Sequence, residues 1–162
     1  MKKKIICASL LIIFTLLIIK NNAYDVKREY ESLNKEKNYI KVVIPKDNPF
    51  QKINYYEFLS KIKETSVIFV GSSKNQKSRE SINILSKVAD NVGINKIYYI
   101  DINNIKSKKL IKKYNITKST LLVFKNGKNI SIINNKNEKK LKKEYEEAVS
   151  KTLVCNPSGD TC

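Results

Sequence analysis

Apolar positions along this chain change period several times, and each change marks an element. Ile5 to Ile19 is an apolar run broken only by Ser9 and Thr15, preceded by Met1-Lys-Lys-Lys4 and closed by Lys20-Asn-Asn22. About fifteen residues suit a signal-peptide core better than a full membrane span, which needs about 20. Ala23 could serve as a cleavage residue, but Asn21 stands where a small residue is wanted. Residues 1–23 are therefore read as a signal anchor or a signal peptide, an N-terminal transmembrane/signal helix with its basic end inside and the remainder exported. Residues 24–38 alternate charges without a clear apolar stripe and predict a solvated juxtamembrane helix or stalk.

A domain is expected over 39–153. Tyr39 to Ile44 predicts a short strand ended by Pro45 and a loop to Pro49. Tyr55, Phe58, Leu59 and Ile62 fall at helical spacing within Ile53 to Lys63. Ser66 to Val70 is continuously apolar, as a strand covered on both faces should be. Ile82, Leu85, Val88 and Ala89 mark one face of a helix from Ser78 to Val92, which Gly93 ends. Lys96 to Asp101 predicts a strand, and Ser107 to Tyr114 a short helix. Thr120 to Lys125 and Lys128 to Ile133 flank Asn126-Gly127, a strong hairpin signal. Glu138 to Leu153 closes the domain as a helix with Leu141, Tyr145, Ala148 and Val149 on one side. The predicted class is α/β: a central mixed sheet of about five strands flanked by helices.

Composition narrows the chemistry. The chain has 32 basic and 15 acidic residues, a net charge of +17, and no histidine. Setting aside Lys2, Lys3, Lys4 and Lys20 at the leader, 28 basic residues still face 15 acidic ones in the exported part. That excess reads either as a solvated surface drifted toward lysine or as attraction to anionic wall polymer or lipid. No nucleic-acid recognition motif is present. Without histidine no Ser-His-Asp arrangement can form, and no metal site or cofactor is expected. Cys7 lies in the leader, and Cys155 and Cys162 lie in the tail 154–162. An exported pair of this kind reads as a structural disulfide, with exchange chemistry the alternative.

Gly71 to Ser78 is one residue short of a phosphate-binding loop, since Gln76 replaces its second glycine, and Asp101 stands where a magnesium-holding carboxylate would. A milder reading makes the adjoining helix N-terminus an anion or partner site formed by Ser72, Ser73, Lys74, Lys77 and Arg79, beside Ser78. Simple capping by Ser73 or Asn75 is the alternative.

The order of elements resembles the thioredoxin fold, and Thr120-Leu-Leu-Val-Phe-Lys-Asn-Gly127 is similar to the segment that comes after its cis-proline. The approach Leu110-Ile-Lys-Lys-Tyr-Asn-Ile116 is similar as well. In layout the chain resembles exported thioredoxin-like proteins of Gram-positive bacteria, including bacteriocin transport accessory proteins. The resemblance implies a Cys-x-x-Cys pair where this chain has Asn75 and Ser78, and a cis-proline where it has Ser119. Neither Asn75 nor Ser78 can form a thiolate, and Ser119 is expected to be trans. The function implied is a membrane-tethered or secreted extracytoplasmic domain, not an enzyme, that binds an envelope or exported protein or peptide near Asn75, Ser78 and Ser119. A thiol–disulfide oxidoreductase using Cys155 and Cys162 is the alternative.

Overall fold

The computed structural model describes residues 24–135 and 138–153. The leader expected at 1–23, Cys7, Cys155 and Cys162 lie outside the described residues. Among those described, no helix is long and apolar enough to cross a membrane.

Five strands form one mixed sheet: β1 (Phe50–Lys52), β2 (Ser66–Gly71), β3 (Ile97–Asp101), β4 (Ser119–Lys125) and β5 (Lys128–Asn134), in spatial order β1-β3-β2-β4-β5. β3 runs parallel to both β1 and β2, whereas β4 is antiparallel to β2 and to β5. The helices are α1 (24–31), α2 (Tyr55–Lys61), α3 (Gln76–Val92), α4 (Lys108–Lys113) and α5 (Glu138–Leu153). Alternation along each strand splits the core in two, because successive side chains point to opposite faces. Val67, Phe69, Tyr99, Leu121 and Val123 face a cluster closed by α1, α3 and α5. Ile68, Val70, Ile100, Leu122 and Phe124 face a second cluster closed by α2 and α4.

Local chemistry sets the boundaries. Asn54 caps α2 by accepting from the Tyr56 and Glu57 amides, and the Glu57 carboxylate accepts from the Asn54 N–H at 2.7 Å, a reciprocal capping box. Gly93 ends α3 at φ 70°, in the left-handed region that costs glycine nothing. Asn126 and Gly127 both take positive φ, as a two-residue hairpin turn between right-twisted strands requires.

Two expectations are corrected. Residues 24–38 are not a solvated stalk: Val26 and Tyr30 are fully buried in the first core cluster. They lie four residues apart, on one face of α1. Tyr39 to Ile44 is not a strand of the sheet; the first strand is Phe50–Lys52. The segment is nonetheless extended, with Val42 and Ile44 buried and Lys41 and Val43 exposed. Its partners are side-chain amides rather than a neighbouring strand. Gln76 accepts from the Ile40 N–H at 2.8 Å and donates to Asn38 O. Asn83, two helical turns further along α3, accepts from the Val43 N–H at 3.3 Å and donates to Lys41 O at 3.0 Å. Asn34 takes both the N–H and the C=O of Val42, and Glu31 accepts from the Ile44 N–H at 3.0 Å. Seven helical residues rise about 10 Å, roughly the length of three extended residues, so α3 keeps step with the segment. An amide side chain offers the same donor and acceptor as a peptide unit, which satisfies backbone groups that burial would otherwise strand.

Burial raises the hydroxyl pKa of Tyr30, Tyr99 and Tyr145 above the ordinary tyrosine value. A raised folded-state pKa gives stability that is complete below the unfolded value of about 10 and lost as pH climbs toward the folded one. Tyrosinate absorbance should therefore show three of the nine tyrosines ionising only together with unfolding, above pH ~10. Independent titration of all nine before the fold is lost would contradict this packing.

Candidate functional site

The turn from β2 into α3 carries the residues that the motif readings singled out. Asn75 is the N-cap of α3, and its Oδ1 accepts from the Ser78 N–H at 3.1 Å. Ser78 itself faces inward with no exposed surface. Its hydroxyl accepts from the Ser72 N–H at 2.9 Å and shares a hydrogen bond of 2.6 Å with the Tyr30 hydroxyl of α1. Both sides of Ser78 are thus used internally. Gly71 makes this approach possible, since a Cβ there would stand 2.5 Å from Tyr30 Oη and 2.6 Å from Ser78 Oγ.

Arg79, the next residue, is the largest fully buried side chain. Its guanidinium donates to Ile40 O at 2.6 Å, Tyr30 O at 2.7 Å, Ser73 O at 3.2 Å and Asn34 Oδ1 at 2.7 Å. All four acceptors are neutral, and burial lowers its pKa from the ordinary arginine value, with the Tyr30 and Tyr39 hydroxyls and Glu36 acting the other way. Guanidinium is hydrated weakly enough, and offers donors enough, to be held by carbonyls alone. Tyr30 O is also an end carbonyl of α1, where a cation complements the helix dipole.

Ser119 begins β4 on the other side of α3, 3% exposed. All peptide bonds among the described residues are trans, including the one at Ser119. Its hydroxyl bonds the Ser81 hydroxyl at 2.7 Å and reaches Lys77 O at 3.2 Å. Asn135 adds bonds to Lys77 O and to the Glu80 carboxylate, each at 3.0 Å. The Tyr145 hydroxyl of α5 is buried without a hydrogen-bond partner among the described residues.

The structure brings Asn75, Ser78 and Ser119 to the same end of α3, but it turns two of them inward. Of the residues proposed for an anion, Arg79 is buried with its donors committed and cannot hold one, and Ser72 is 8% exposed with its N–H given to Ser78. Lys74 and Lys77 remain exposed and Ser73 half-buried. Docking against the Ser78 and Ser119 side chains is likewise closed. The phosphate-loop reading fails too: the Gln76 amide is engaged by Asn38 and Ile40, and the Asp101 carboxylate caps Asn103 N–H at 2.7 Å. No thiol exists anywhere in the described residues, and no group of three His, Cys, Asp or Glu side chains that could hold a metal occurs among them. An open cleft of about 1110 Å³ lies away from this turn, between the start of α1, the Pro45–Pro49 loop and the end of α3. It holds both signs of charge, with Lys27 and Lys46 beside Asp47 and Asp90, and so has no preference for one ion.

The residues that motif reading missed are Tyr30, Asn34 and Asn83. Val26, Tyr30 and Leu33 stand at i, i+4 and i+7, a stripe masked by the charges between them. Nothing in sequence marks the two asparagines.

No family model matches this chain, and no curated protein does. Solved structures do. Thioredoxin O2 from Arabidopsis thaliana, in its oxidized state, matches with a TM-score of 0.50 at 19% identity, over 65% of this chain and 97% of that one. Thioredoxin O1 from the same plant gives 0.49 at 21% identity, over 62% and 98%. Thioredoxin from Trypanosoma brucei brucei gives 0.48 at 14%, over 71% and 96%. The fold is an α/β thioredoxin-like fold with a five-stranded mixed sheet.

Two substitutions test the packing of this turn. Arg79→Met takes the guanidinium donors from the carbonyls of Tyr30, Ile40 and Ser73, while Asn34 Oδ1 keeps the Val42 N–H; each unmade bond is worth about 1–3 kcal/mol. Denaturant unfolding should show a loss of at least about 3 kcal/mol, only partly recovered by Arg79→Lys, whose point charge cannot span the same acceptors. Gly71→Ala should lower stability by about 1–3 kcal/mol through overpacking against Tyr30 and Ser78. Wild-type stability in either variant would refute the assigned contacts.

Proposed function

We propose that this chain is a thioredoxin-fold domain whose redox site has been replaced, and that it works by binding. The observation that carries the reading is the filled turn at α3. Where the fold resemblance implies a reactive dithiol, the chain has Asn75 and Ser78, and their polar groups are consumed by Tyr30, Ser72 and the helix end itself. A thiolate nucleophile is the one group that thiol–disulfide exchange cannot do without. A scaffold retained without that group still has a surface to offer.

The setting we infer is extracytoplasmic. Support comes from the apolar leader Ile5 to Ile19 behind three lysines, which reads as an anchor or signal that exports the rest of the chain. The partner is an envelope or exported protein or peptide, and the role is that of an accessory factor in the cell envelope or an export system. The likeness in layout to Gram-positive bacteriocin transport accessory proteins belongs to this proposal. Anionic wall polymer or lipid is the competing partner on grounds of charge.

An insulin-reduction assay tests the loss of redox chemistry. The exported part, residues 24–162, is expected to give no turnover above the dithiothreitol background, and a Cys155→Ser variant the same. Turnover that depends on Cys155 would overturn the reading in favour of the tail cysteines.

A further inference from the structure

The excess of positive charge is not spread along the chain. Residues 24–101 carry 14 basic and 10 acidic side chains, and residues 138–162 carry five of each. Residues 102–137 carry nine lysines and no Asp or Glu.

The block is one stretch of chain, from the end of β3 to just past β5. It builds α4, β4 and β5, and the end of α4 meets the end of β5 where Asn134 Nδ2 donates to Asn115 O at 3.2 Å. Lys108, Lys109, Lys112 and Lys113 are all exposed on α4. They form two like-charge i,i+4 pairs, and the first two sit at the positive end of the helix dipole. Both arrangements oppose the stability of a six-residue helix. Neither is relieved by a neighbouring carboxylate in the sequence block.

β5 is the last strand of the sheet, and among the described residues nothing pairs with its outer edge. Ile130 and Ile132 stand on it 37% and 39% exposed, Ile130 at the bulge where β5 shifts register against Val123 and Phe124. Ile132 pairs in register with Leu122, so its face continues the second core cluster past the cover of α2 and α4. Exposed Lys128 stands at the hairpin end of the same strand.

We propose that β5 and α4 form the docking surface, and that its occupant is an acidic, extended polypeptide segment that adds to the free edge of β5. An open edge presents unpaired backbone groups that an incoming strand can satisfy, with alternate side chains supplying specificity. Apolar residues of the segment would cover Ile130 and Ile132, and carboxylates at its two ends would meet Lys128 at the hairpin and the lysines at the end of α4 near Asn134. A second copy of this chain is excluded as the occupant by the repulsion of two such lysine blocks. A lipid or polymer surface would match the charge but leave the strand edge unpaired. The proposal rests on the binding role inferred above and names its surface and the chemistry of its partner.

The test uses the full chain in phosphatidylcholine nanodiscs and a short peptide with alternating Val and Thr in its middle and Glu pairs at both ends. Binding is tracked by fluorescence anisotropy, and amide exchange is read across residues 129–134. The peptide should bind and slow exchange along β5. Joint Ile130→Thr and Ile132→Thr substitution, with the circular dichroism spectrum unchanged, should weaken binding about tenfold, as truncating interface anchors does. Lys109→Gln with Lys113→Gln should weaken it as well and flatten its salt dependence. No binding, or equal binding of polyglutamate or of a backbone N-methylated peptide, would overturn strand addition. So would phosphatidylglycerol vesicles that displace the peptide in full, which would assign the surface to anionic lipid. Insulin turnover would remove the binding reading itself and leave the β5 result to be judged alone.

Discussion

The fold near α3 is organised by a buried positive charge that has no countercharge. Arg79 lies in the interior and donates only to neutral oxygens: Tyr30 O on α1, Ile40 O on the extended segment, Ser73 O on the β2–α3 turn, and Asn34 Oδ1. Each of those oxygens belongs to a piece of chain that would otherwise have no reason to stop there. The desolvation of a guanidinium is unfavourable, and only a full set of hydrogen bonds offsets it. Those bonds exist only when α1, residues 38–44 and the turn are all in place, so one residue makes three local structures depend on one another.

That dependence explains why the arm before β1 belongs to the domain. Val26, Tyr30, Val42 and Ile44 cover the part of the sheet where Phe50, Ile97 and Tyr99 face the first core cluster. The Tyr99 hydroxyl donates to Glu29 at 2.6 Å and Lys52 pairs with the same carboxylate at 2.8 Å, which ties α1 to β3 and β1. The same arm places the Tyr30 hydroxyl on Ser78, so covering the sheet and filling the turn are one event. A residue that needed solvent access at position 78, as a nucleophile does, could not coexist with this arrangement.

Most of the sheet was legible from sequence because apolar runs and turn residues act locally. Ser66 to Val70 reads as a strand from its own composition and the strand found is Ser66–Gly71, Asn126-Gly127 dictates the hairpin, and α5 has the predicted bounds Glu138–Leu153. The errors share one cause. Tyr39 to Ile44 has the alternation of a strand, but its partners are side chains, Gln76 and Asn83 on α3 together with Asn34 and Glu31, which no local pattern encodes. Arg79 reads in sequence as part of an anion site because its type is usually exposed, and its acceptors are three backbone oxygens and the Asn34 amide, which sequence does not display. Ser78 and Ser119 were legible as positions and illegible as environments.

Amide hydrogen exchange tests the account most directly. The Ile40, Val42, Val43, Ile44 and Ser72 amides donate to Gln76, Asn34, Asn83, Glu31 and Ser78, and Arg79 itself bonds Asn34 and the carbonyls of Ile40 and Ser73 among them. They should exchange through the same global opening as the β2 amides and lose protection together in Arg79→Met. Exchange at the rate of an unfolded chain in the native protein, while β2 stays protected, would show that the arm is a loose attachment and the turn at Ser78 is open.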